Sequence, residues 1–348
     1  MALYDLVKDL TLEIEDVDFD HCQLAISPEF TRRTTIVKLR QGVTTRGAEQ
    51  EGRGEDVTYD PHEHEPHKLP FVDLKGSWTL GSLSKRLDEL ELFPAGEPNQ
   101  AAYRDYRRWA FESAALDLAL IQAGRSLGEA LGREATPLRF VSSTRAASLD
   151  GWLELYPGLR FKLDPTPEWT DETIAGLASR GKVDVADLKG AYHGTVVDNP
   201  PNPELYRRVA EGLPDAWIED PALTPETDAV LAPYRERFSW DAPIHSIEDI
   251  EGLPYPPRMV NIKPSRLGGL RNLLDAYDYC AERSIGNYGG GQFELGVGRG
   301  QNQYLASLFH ADAPNDVAPT GFNLPSPPDG LPASPLAPAP SAFGFRWG

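Results

Sequence analysis

The stretch Met259-Val-Asn-Ile-Lys-Pro-Ser-Arg-Leu-Gly-Gly269 is an apolar run that ends in a lysine and is broken at once by proline and a glycine pair. Its first four residues read as a buried strand, and Pro264 cannot continue one. A lysine at that junction either snorkels to solvent from the strand end or is aimed into a site. The surrounding chain has to decide between the two.

The same grammar recurs throughout the second half. After Thr136, short apolar strands alternate with amphipathic helices: LRFVSS and LRFKLD before DETIAGLASRG, KVDVADL before PELYRRVAEGL, DAWIEDP before PETDAVLAPYRERF, FSWDAP before SIEDIEGL, RMVNIKP before GLRNLLDAYDYCAERS, and SIGNYGGG before GRGQNQYLASLFH. Repeated strand-then-helix units with short connections demand parallel strands, and this many of them predict a closed (β/α) TIM barrel rather than an open sheet. The first half reads differently. TRRTTIVKLR (31–40) alternates as a strand, the stretch 41–60 reads as turn-rich, and 101–131 carries helical periodicity with Gly124 as a stop. The expected domains are an α+β layer over 1–135, a (β/α) barrel over 136–325, and a Pro-rich segment over 326–348 whose Phe-Gly-Phe-Arg-Trp packs back on the first layer.

A charged residue closes strand after strand: Lys162, Asp187, Glu219, Asp241 and Lys263, at separations of 25, 32, 22 and 22 residues. In a barrel the carboxyl ends of successive strands surround one mouth, so these five side chains are predicted to become neighbours. Three carboxylates brought together between two lysines trap protons unless a cation sits among them. Oxygen donors without histidine or thiolate suit a hard ion, Mg²⁺ or else Mn²⁺. Such an ion holding a substrate carboxylate acidifies its α-proton by stabilising the enediolate, and a lysine shifted toward neutrality could remove that proton.

Composition narrows the alternatives. At 348 residues, 40% hydrophobic and 25% charged, the chain falls in the globular class, and no run approaches a bilayer span. A formal charge of −19 disfavours a nucleic-acid partner. Cys22 and Cys280, far apart and outside any CxxC, point to a reducing cytoplasm, as does an acidic amino terminus unlike a signal peptide. The expected partner is a small carboxylate substrate, with a homo-oligomer as the base-rate assembly.

At these residues the sequence resembles the enolase superfamily, in particular its muconate-lactonizing-enzyme subgroup, which includes o-succinylbenzoate synthases and N-acylamino acid racemases. The resemblance runs through RRTTIVKLR with GAEQEGRGED, FESAALDLALIQAGRSLGEALG, RFKLD, VDVADLKGAY, WIEDP, SWDAPIHSIEDI, VNIKPSRLGG and GGGQFELGVGRGQNQYLASL. It implies a modified enolase-like barrel under an α+β capping domain, with Asp187, Glu219 and Asp241 as metal ligands and Lys162 and Lys263 as the acid/base pair. The implied reaction is dehydration of the o-succinylbenzoate synthase type. Racemase, epimerase or cycloisomerase activity, or a barrel that only binds a ligand, are the alternatives.

Several positions depart from the subgroup pattern. Arg160 stands where the first lysine of a pair is common, Lys189 replaces an asparagine, and Ala242 and Pro243 follow Asp241 where an acid is usual. Arg160 and Lys189 are candidate substrate contacts. Gly290 and Gly291 suggest close approach of backbone to substrate, and Glu294 is a substrate-binding acid or a helix-start cap. By the same resemblance, the stretches 19–30 and His62-Glu-His64-Glu-Pro-His67 would reach over the barrel mouth. The latter reads as a solvated loop rather than a second metal site.

Overall fold

The computed structural model describes residues 1–27, 30–42, 50–192, 199–324 and 326–348. Strands β1 (Thr11–Ile14) and β5 (Gly76–Thr79) pair antiparallel, and β2 (Asp16–Ser27), β3 (Phe30–Gln41) and β4 (Gln50–Asp56) form an antiparallel meander. These sheets pack on the long helix Tyr103–Ala123, which ends where Gly124 turns left-handed at φ 64°. The approach is so close that a Cβ on Gly54 would stand 2.0 Å from the Ala110 carbonyl oxygen, which explains the glycines of the GRG sequence. The expected turn-rich stretch is therefore partly strand: 50–56 belongs to β4, and 43–49 lie outside the described residues.

The second half supplies seven parallel strands in sequence order: β6 (Ser142–Thr144), β7 (Phe161–Leu163), β8 (Val183–Asp187), β9 (Trp217–Glu219), β10 (Phe238–Trp240), β11 (Met259–Ile262) and β12 (Gly286–Gly289). β7, β10 and β11 are buried at every position, as strands covered on both faces must be. The sequence reading placed no helix between β6 and β7. One forms at Leu149–Leu155, where Leu149 and Trp152, a helical step apart, are buried. The two outer strands of the sheet meet a common segment: single parallel bridges join Phe140 to Asn315 and Gly290 to Asp316.

Asn315 anchors that segment. Its Oδ1 accepts from the Gly289 amide at 2.7 Å, and its Nδ2 donates to the Arg139 carbonyl at 3.0 Å. His310 Nδ1 donates to the same Oδ1 at 2.7 Å, which leaves Nε2 to accept from the Tyr277 hydroxyl at 3.1 Å.

The two halves interlock through buried charge. Arg32 of β3 donates to the carbonyls of Gln292 and Phe293 beyond β12, at 2.9 and 3.2 Å. Glu55 of β4 accepts from the amides of Leu295, Gly296 and Gly298 at 2.7 to 3.0 Å, at the start of the helix Val297–Phe309. At the carboxyl end, Phe345 is fully buried and meets Trp109 and Tyr304, while Arg346 and the Phe345 amide bind Asp117.

Several expectations change here. Phe19 lies in β2 and packs edge-on against Phe111 at 6.2 Å, so this part of 19–30 is strand, with 28 and 29 outside the described residues. His64 is not solvated. It is buried between Thr35 Oγ1 at 2.9 Å and the Thr58 carbonyl at 2.8 Å, whereas His62 is exposed. Both cysteines are free thiols. Among the described residues no helix is long and apolar enough to cross a membrane.

Burial pushes His310 down to about 4, so the folded state holds it neutral at pH values where the unfolded chain protonates it. Its contribution is complete above the unfolded value and is lost as pH falls toward the folded one, a difference of roughly 3 kcal/mol. Urea unfolding should show stability declining between about pH 6.5 and 4, and the decline should be shallower in His310→Gln by up to that amount. Equal slopes in both proteins would contradict the burial argument.

Candidate functional site

β7 to β11 end in a ring of charge. Asp187 closes β8, Glu219 closes β9, and Asp241 and Lys263 directly follow β10 and β11. One carboxylate oxygen from each of Asp187, Glu219 and Asp241 lies within 4.8 Å of the others, and all three residues are buried. The Lys162 ammonium sits among them, in contact with Glu219, 3.1 Å from Asp187 Oδ2 and 3.9 Å from Asp241 Oδ2. Lys263 Nζ, from the end of β11, donates to Asp241 Oδ2 at 2.8 Å. The five side chains singled out by their spacing thus converge on one place.

Electrostatics at this spot reflects low dielectric set against dense charge. Burial would lower Lys162, but Asp187, Glu219 and Asp241 outweigh it and hold the amine well above the usual lysine range. Burial raises Asp187, yet Lys162 and Lys189 bring it to about 2. Asp241 is likewise carried well below the carboxylate range by Arg266, Lys263 and Lys162 in spite of its burial. Lys263 moves the opposite way from Lys162, lowered by burial and then by Arg266.

Lys189 turns inward rather than to solvent. It adopts φ 56°, its amide donates to Asp187 Oδ1 at 3.0 Å, and its ammonium contacts Asp187 Oδ2 and lies 3.6 Å from Asp164. Arg160 does not join the ring. Its guanidinium donates to Asp184 Oδ1 at 2.6 Å and to the Gly181 carbonyl at 3.1 Å, at the amino-terminal end of β8. Two residues before Lys162 is one pleat repeat down the strand, which carries a side chain away from the mouth. Gly290 and Gly291 are approached by side chains. A Cβ at Gly290 would stand 2.6 Å from Lys263 Cε, and one at Gly291 2.3 Å from Glu294 Oε2. Glu294 is buried, accepts from the Gln292 amide at 2.6 Å and faces Arg299 at 3.4 Å. Of the two roles expected for Glu294, the helix-start cap is taken by Glu55.

Other participants carried weaker signals. Tyr288 donates to Glu219 Oε2 at 2.6 Å and Arg266 to Asp241 Oδ1 at 2.7 Å. Asp220, at φ 47°, accepts from the amides of Asp241 and Ala242, both at 2.8 Å. It thereby fixes the turn after β10, where the sequence has no acid following Asp241. Arg266 lies in the quoted stretch itself and Asp220 directly follows Glu219, but neither position shows its direction without coordinates. Beside the ring lies a cavity of about 870 Å³ lined by Asp164, Lys189, Arg145, Trp169 and Arg180 among others.

The donor set fits a hard divalent ion: three buried carboxylates, close enough for one cation to reach an oxygen of each, with no soft ligand among them.

Family models described as the N-terminal and C-terminal domains of DUF8230, a domain of unknown function, match residues 5–130 and 134–324. The o-succinylbenzoate synthase of Bacillus subtilis is 43% identical over 61 residues, 18% of this chain and 16% of that protein. An N-succinylamino acid racemase of Amycolatopsis is 30% identical over 242 residues, 64% of this chain and 63% of that protein. The chain thus spans less than two thirds of the length of either relative. In fold it is similar to a dipeptide epimerase from Methylococcus capsulatus solved with a Mg ion, with TM-score 0.64, 20% identity, and coverage of 91% of this chain and 92% of that one. It is similar also to the muconate lactonizing enzyme of Pseudomonas putida, with TM-score 0.59, 18% identity and 96% of each chain covered. The sequence relatives and fold neighbours are enolase-superfamily enzymes, and the chain itself belongs to the DUF8230 family.

Proposed function

We propose that this protein is a Mg²⁺-dependent enzyme that removes the α-proton of a small carboxylate substrate, and that the outcome is elimination of water as in an o-succinylbenzoate synthase. The observation that carries the reading is the convergence of Asp187, Glu219 and Asp241 between Lys162 and Lys263. The three carboxylates would hold the ion, with Mn²⁺ as a substitute, and the bound ion supplies positive charge that acidifies the proton next to the substrate carboxylate. Lys162 and Lys263 reach Asp241 Oδ2 from different strands, so a substrate α-carbon between them meets an amine on either face. One lysine takes the α-proton. The electron pair left at the α-carbon forms the double bond as the β-hydroxyl departs, and the other lysine, as ammonium, gives that hydroxyl the proton with which it leaves as water. Near-complete burial of both lysines keeps bulk water from quenching the step.

A second reading is racemisation, favoured by the Amycolatopsis relative. The first proton transfer is the same, and the second lysine then returns a proton to the opposite face. Both readings place the chemistry at the mouth of an eight-stranded barrel spanning 136–325, closed through 315–316 under a cap formed by 1–135. The net charge of −19 makes a small acid drawn to this local cluster of lysines a better partner than a nucleic acid.

Incubation with candidate acids and Mg²⁺ in D₂O should wash deuterium into the α-position, and Lys162→Ala or Lys263→Ala should slow this by about 10²–10⁴-fold. An exchange rate untouched by either substitution, or no exchange across a broad panel of acids, would sink the reading. Mg²⁺ at 100 times its Kd should stabilise the protein by about 2.7 kcal/mol. That shift, read as a rise in melting temperature over a chelator control, should vanish in Asp187→Asn.

A further inference from the structure

Asn261 stands two residues before Lys263, and the extended backbone of Lys263, at φ −106° and ψ 108°, continues the strand alternation. Both side chains therefore project from the same face of β11, the one on which Lys263 meets Asp241. The Asn261 side chain is fully buried, yet neither its Nδ2 nor its Oδ1 has a hydrogen-bond partner among the described residues. On the neighbouring strand the Ser239 hydroxyl, two residues before Asp241, is buried and unpartnered as well. Gly290 leaves the amide its space, since a Cβ there would stand 2.6 Å from Nδ2 and 2.8 Å from Oδ1. Interior amides are almost always paired, and one held unpaired costs stability that packing alone gives no reason to spend.

We propose that Asn261 is a ligand-binding residue of this site and that its amide, packed against Gly290 beneath Lys263, holds a hydroxylic oxygen. A carboxylate could pair only with Nδ2, whereas a hydroxyl accepts from Nδ2 or donates to Oδ1 and can meet either end of the amide. That oxygen belongs either to the substrate or to a bound water. The substrate assignment rests on the acid-handling reading above and deepens it: the favoured acids carry a hydroxyl close to the α-carbon.

Asn261→Leu, nearly isosteric and unable to hydrogen-bond, tests this in the full-length protein, with Asn261→Ser as the second variant should leucine not fold. Without substrate, at least one variant should melt at or above the wild-type temperature. A drop of many degrees in both means the amide is satisfied within the fold, and overturns the proposal. With Mg²⁺, the wild type should take the α-proton from a β-hydroxy acid about tenfold faster than from its deoxy analogue, and the variants should erase that preference. An unchanged preference together with a water on Asn261 in a high-resolution crystal structure assigns the oxygen to water. An unchanged preference with no water there refutes the site. Should the wild type exchange no acid at all, the proposed reaction falls, and the crystal alone decides whether the amide holds an oxygen.

Discussion

Three carboxylates and two ammonium groups are held at the ends of neighbouring parallel strands, out of contact with bulk water. Charges this close in a poorly polarisable interior are tolerable only when nearly balanced, and removing one partner of such a set costs far more than the pair contributes as a unit. The geometry follows from the sheet. Residues one βα unit apart in sequence are brought side by side because parallel strands place their carboxyl ends on one rim. Asp241 shows how tightly the balance is kept. Lys162, Lys263 and Arg266 all address its carboxylate, and the turn that aims it is fixed by Asp220 through two amides.

The ring depends in turn on the capping half. Lys263 Cε packs against Gly290, and the segment that follows is gripped from above by Arg32 through the Gln292 and Phe293 carbonyls and by Glu55 through the amides that open the next helix. Glu55 does the work of a helix cap from a different part of the chain, where a carboxylate meets the positive end of the helix dipole. The amino-terminal sheets therefore help to define where the lysine on β11 can stand. Asp117 extends the same logic to the carboxyl end, binding Arg346 and the amide of the buried Phe345.

Much of this was legible in the chain because it is periodic. Strand-helix alternation after Thr136 and the left-handed stop at Gly124 follow from local propensity, and the one-unit spacing of Lys162, Asp187, Glu219, Asp241 and Lys263 carried over directly into shared position. Arg160 was misread because a charged residue near a site motif carries no sign of where its side chain points. It found Asp184 a pleat repeat below the rim, and of the two roles open to Glu294 the helix cap fell to Glu55 from β4. His64 looked solvated among acids and prolines until Thr35, from β3, and the nearby Thr58 carbonyl enclosed it.

The sequence by itself determined the succession of parallel strands after Thr136 and which charged side chains close them, since both follow from short-range pattern. Only the tertiary structure decided which groups surround each charge. Lys189 turned to Asp187, Arg266 to Asp241 and Tyr288 to Glu219, while the Asn261 amide was left without a partner among the described residues. The physical reason is that a buried polar group is governed by what lies within about 3 Å of it, and those neighbours come from strands that the chain visits far apart.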